Sequence, residues 1–75
     1  MNNTYTRKFN GWLVQVETGI DSDQTRDGFI SKKDYSASLA SLFEDRMVYN
    51  SFGVCIQFPS SLVDQIEVWA ESVGY

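Results

Sequence analysis

The Asn10-Gly11 pair constrains this chain more than any other feature. It stands between two β-forming runs, 5–9 and 12–18. A two-residue hairpin turn of type I′ needs positive φ at both central residues, which Asn and Gly supply at least cost. Trp12, Val14, Val16 and Thr18 alternate with Leu13, Gln15 and Glu17, as in a half-buried strand. A helical count competes, because Tyr5, Phe9, Trp12, Leu13, Val16 and Ile20 fall at i, i+4, i+7, i+8, i+11 and i+15. Gly11 inside that span, Gly19 near its end and the β-branched Val14, Val16 and Thr18 all disfavour a helix. The sequence therefore predicts a hairpin over 5–18.

Further along, Ser31-Lys32-Lys33-Asp34 resembles a capping box. Tyr35, Leu39, Leu42 and Phe43 follow at i, i+4, i+7 and i+8, one apolar stripe. A helix over about 32–45 is expected. The next run, 46–58, is dense in β-formers, with Val54, Ile56 and Phe58 on one face and Cys55 and Gln57 on the other. Residues 50–53 read as a hairpin turn or a bend, and Pro59 stops the strand. Ser61-Leu62-Val63-Asp64 repeats the S-x-x-D start. Leu62, Ile66, Trp69 and Val73 then give the stripe of a final helix over about 61–73. The expected fold class is α+β: a small antiparallel sheet, made of the N-terminal hairpin plus a central strand or hairpin, with two helices packed on one face.

With 75 residues the chain is one compact domain, 1–75, and its eleven aromatics and 43% apolar content exclude a disordered chain. Trp12 and Trp69 belong in so small a core. There is no histidine, which excludes histidine acid–base chemistry, Ser-His and Cys-His nucleophiles and Cys/His zinc sites. The single cysteine, Cys55, has no intramolecular partner and reads as a small buried apolar residue. The start, MNNTYTRKF, lacks an apolar signal core, and no stretch is long and apolar enough to span a membrane. A cytoplasmic protein that is not an enzyme is the expectation.

Asp23-Gln-Thr25-Arg-Asp27-Gly28-Phe29-Ile30-Ser31-Lys-Lys-Asp34 resembles the EF-hand calcium loop. The resemblance implies ligands from Asp23, Thr25, Asp27, the Phe29 carbonyl, Ser31 and Asp34, with Gly28 at the turn. Three departures count against it. Asp34 is shorter than the closing Glu, Ile20 phases an entering helix to Asp21 instead of Asp23, and no second loop follows. The plain alternative is a polar connection whose Asp and Gly residues make turns. No cofactor is expected, and any calcium affinity should be weak.

Charge placement carries more. Ten acids and six bases give a net charge of −4, and no base occurs in the 29 residues after Arg46. Asp64, Glu67 and Glu71 recur at i, i+3 and i+7 on the final helix, and Glu44-Asp45 end the first. Arg7-Lys8 and Lys32-Lys33 read as solvated element ends. The acidity argues against direct binding to nucleic acid. One-sided acidity serves solubility, or it presents a surface to a basic protein partner. In size and charge the chain is similar to phage inhibitors of host nucleic-acid enzymes, such as anti-CRISPR and anti-restriction proteins, though no motif identifies a family. The expected function is a protein-binding module that inhibits a basic nucleic-acid-handling protein through Asp64, Glu67, Glu71, Glu44 and Asp45.

Overall fold

The computed structural model describes residues 3–18 and 26–75. Strand β1 (Asn3–Phe9) and strand β2 (Trp12–Thr18) pair antiparallel, with Phe9 opposite Trp12. Asn10 at φ 53° and Gly11 at φ 88° supply the two positive angles between them. The hairpin forms as expected, and the competing helix does not. Along β2, Val14 and Val16 are fully buried while Leu13, Gln15 and Glu17 are half-buried on the other face.

The sheet then continues farther than the sequence pattern suggests. Strand β3 (Arg26–Lys32), strand β4 (Tyr35–Ser38), strand β5 (Met47–Tyr49) and strand β6 (Cys55–Gln57) follow in chain order. Each is antiparallel to its neighbour, giving a six-stranded meander with helix α1 (Leu39–Asp45) between β4 and β5. Helix α2 (Ser60–Ser72) closes the chain. The fold is mixed α and β, with an antiparallel sheet and two helices.

The helix expected over 32–45 therefore begins seven residues late. Ser31 lies in β3, and Lys33 (φ 54°) and Asp34 turn the chain between the paired Lys32 and Tyr35. The local period across 35–38 is two, not 3.6: Tyr35 and Ala37 are half-buried, Ser36 and Ser38 exposed. The serine that caps is Ser38, whose hydroxyl oxygen accepts from the Ser41 amide at 3.2 Å. Arg46 ends α1 in the left-handed region, its amide donating to the Leu42 carbonyl at 2.8 Å.

Between β5 and β6, Asn50 organises the turn. Its side-chain oxygen accepts from the amides of Phe52 and Val54, both at 2.9 Å. Helix α2 also starts differently from expectation. Pro59 is its N-cap and makes no side-chain capping bond, so Ser61 and Asp64 form no capping box. Proline serves there because its fixed φ suits a helix entry. Val63, Ile66 and Ala70 are buried on α2, flanked by the half-buried Leu62, Trp69 and Val73.

These residues meet Val14, Val16, Ile30, Leu39, Leu42 and Val48 in one cluster closed by Phe9 and Phe58. Trp12 meets Phe58 edge-to-face at 5.0 Å, and Trp69 meets Phe9 at 5.7 Å. Both tryptophans pack against the core as expected. Cys55 does not. It is exposed, because β6 is the sheet's edge and only Phe58, just beyond it, turns inward.

Candidate interaction surface

Asp64, Glu67 and Glu71 are all exposed on α2. At 100° per residue they fall within an arc of about 60°. None forms an ion pair with a described residue. Glu71 occupies the last turn, where the helix dipole favours a cation, and no basic residue is there to answer it. A basic group does approach this helix: Arg7, with Phe9, Asp64, Val68 and Trp69, lines a shallow hollow. Its guanidinium lies 5.0 Å from the centre of the Phe9 ring, a cation–π position, and leaves Asp64 unpaired.

Glu44 and Asp45 are exposed as well, at the end of α1. They stand on a different element, and no hydrogen bond joins them to the α2 carboxylates. Asp45 has its own local partner: the Tyr49 hydroxyl donates to its carboxylate at 3.5 Å. Partial desolvation, the Asp45 charge and the nearby Cys55 thiol all push the Tyr49 phenol above its ordinary pKa of 10.0. The folded state thus favours protonated Tyr49. Its contribution is complete below the unfolded pKa and is lost as pH rises through the higher folded value. In a spectrophotometric alkaline titration, Asp45→Asn should move one tyrosine toward lower pH; an unchanged profile would show that the carboxylate does not reach the phenol.

The described residues of the calcium-loop resemblance, Asp27, Phe29, Ser31 and Asp34, are not assembled into a loop. Asp27, Phe29 and Ser31 lie at alternate positions of β3, opposite Glu17, Gln15 and Leu13. At about 3.3 Å per residue, Asp27 and Ser31 are about 13 Å apart, whereas calcium ligands lie about 2.4 Å from one ion. Asp34 sits in the β3–β4 turn, and Asp23 and Thr25 lie outside the described residues. A strand, not a helix, follows the string. No cluster of three metal-ligating side chains occurs among the described residues.

Sequence reasoning missed a cleft lined by Gln15, Glu17, Asp27, Phe29, Ser36 and Ser38. It lies on the sheet face opposite Val14, Val16 and Ile30, where Phe29 is 41% exposed. The signal was present in the alternation of Asp27, Phe29 and Ser31, which a loop assignment concealed. The basic doublets are exposed, Arg7-Lys8 on β1 as expected, whereas Lys32-Lys33 stand at the β3–β4 turn instead of a helix end, with the Lys32 ammonium 5.6 Å from the Trp12 ring centre. Among the described residues no helix is long and apolar enough to cross a membrane.

Comparison with family models, with curated proteins and with solved structures gives no match for this chain. What the chain does must be argued from its own surface.

Proposed function

We propose that this chain is an acidic protein-binding module that docks α2 on a Lys/Arg-rich surface of a nucleic-acid-handling protein and inhibits it. The observation that carries the proposal is the arc of Asp64, Glu67 and Glu71, three exposed carboxylates without a described cation partner. In this reading Glu44 and Asp45, exposed at the end of α1, are additional contacts for the same partner. Both helices, in this reading, pack on one face of the sheet, and the scaffold needs only to hold α2 rigid. No enzymatic step and no cofactor are involved, calcium included. The protein works in the cytoplasm, as phage anti-CRISPR and anti-restriction proteins do, an analogy of size and charge alone.

Opposite charges speed encounter and are screened over about 8–10 Å at ordinary salt. Nucleic acid competing for the same basic surface should be excluded. The test begins with capture of the partner from the native host and proceeds to binding kinetics with the purified pair. Glu67→Lys with Glu71→Lys should weaken binding at least about tenfold, or about 1.4 kcal/mol, at low salt. The fold should be retained, since both positions are exposed. Equal affinity of wild type and the double reversal would reduce the acidic arc to a solvated surface.

A further inference from the structure

The edge strand β6 ends the sheet on one side, and its backbone polarity follows from the bonds around it. The Asn50 amide donates to the Val54 carbonyl at 2.9 Å, and the Phe58 amide donates to the Arg46 carbonyl at 2.8 Å. Antiparallel ladders alternate bonded and non-bonded pairs. Val54, Ile56 and Phe58 therefore turn their backbone groups toward β5, while Cys55 and Gln57 turn theirs away from the sheet. Those four outward groups form a short open ladder.

Natural edges are guarded by charge, proline or a bulge. The opposite edge, β1, carries Arg7 and Lys8. Strand β6 has no such guard. It lies inside an uncharged run, residues 47–63, in a chain of net charge −4. Around it, Phe52 is 85% exposed, Val54 51% and Ile56 40%, with Tyr49 on the neighbouring strand at 37%. Four of the seven exposed large apolar side chains among the described residues gather here.

We propose that β6 is a self-pairing edge, joining two copies of this chain antiparallel about a two-fold axis at Ile56. The occupant is a second copy because the site is self-complementary. A two-fold operation brings the same strand against itself in the antiparallel sense. Two acidic chains repel, so contact is least opposed where neither carries charge. The register follows from the open ladder. With the axis at Ile56, Cys55 of one copy faces Gln57 of the other, and four backbone hydrogen bonds form. An axis at Cys55 would require Gly53 as a rung, but its amide is already donated to the Asn50 carbonyl at 3.1 Å.

Sedimentation equilibrium between about 10 µM and about 1 mM tests this, since the population of an oligomer follows concentration. The wild-type chain should approach twice its 8.6 kDa mass at the upper end. Ile56→Lys places two like charges on the axis and should hold the protein monomeric throughout. Gln57→Pro removes an outward donor, at an edge position where proline is tolerated, and should do the same. The second variant carries the test if the first fails to fold. Gln57→Cys should give a disulfide-linked dimer through Cys55 under mild oxidant, several-fold faster than wild type. A wild-type mass that stays monomeric overturns the proposal. So does a dimer that survives in either folded variant.

Discussion

Phe58→Ala is expected to remove about half or more of the domain's stability at room temperature. The ring is 1% exposed, lies between β6 and α2, and packs edge-to-face on Trp12 at 5.0 Å. Truncating a buried Phe to Ala costs about 3–5 kcal/mol, from lost transfer energy plus the cavity left behind. A domain of this length has roughly 4–11 kcal/mol in all, at 0.05–0.15 kcal/mol per residue. The single substitution therefore takes a large fraction of the total. Neighbouring side chains have little scope to fill the gap, because Phe58 is held by its backbone bond to Arg46 and followed directly by the Pro59 helix entry. Urea unfolding followed by tryptophan fluorescence reports on it directly through Trp12. The midpoint should fall to about half the wild-type value or lower. Phe52→Ala, at 85% exposure, is the control and should stay within about 0.5 kcal/mol of wild type. A Phe58→Ala midpoint equal to that of the control would mean the ring does not close the core.

What the sequence made legible was what local chemistry decides alone. Asn10-Gly11 specifies its turn without reference to the rest of the chain, so the turn of the first hairpin was readable to the residue, while β1 begins two residues earlier than the pattern suggests. Helix α2 was readable because its stripe persists for 13 residues. Helix α1 has only seven, and two accidents extended it backwards. Tyr35 stands four residues before Leu39, and Ser31 heads an S-x-x-D string. Both features are equally at home in a β-hairpin, and pairing with β3 decided the matter. That pairing is non-local, as is the edge position that exposes Cys55. The exposure of Asp64, Glu67 and Glu71 followed from helical phase, since they lie off the apolar stripe. Where Glu44 and Asp45 lie relative to that triad depends on how two separate elements pack, which no spacing along the chain encodes.

Gly28 shows the same limit in one residue and leads to an expected loss of about 3 kcal/mol for Gly28→Val. Between Asp27 and Phe29 a glycine reads as a turn, or as the bend of a calcium loop. It is neither. Gly28 lies in β3 opposite Val16, and its φ is outside the left-handed region. A Cβ there would stand 2.6 Å from Leu39 Cδ1, 3.1 Å from Leu39 Cγ and 3.0 Å from the Gln15 carbonyl oxygen. Helix α1 passes so close to the sheet that only a hydrogen fits. Two effects of opposite sign then compete. Valine is a better strand former than glycine, with a scale spanning about 1 kcal/mol. Overpacking a filled core costs about 1–3 kcal/mol, more when the obstructing atoms cannot retreat. Leu39 is fully buried in the central cluster, and the Gln15 oxygen belongs to the backbone. Packing should win. A double-mutant cycle separates this clash from a general dislike of substitution at the site. Leu39→Ala alone should cost about 2–5 kcal/mol, yet the pair with Gly28→Val should cost at least about 1 kcal/mol less than the sum, because the new methyls occupy the space vacated by Leu39. Strict additivity by urea unfolding, or a Gly28→Val protein as stable as wild type, would mean that α1 does not rest on β3 at this point.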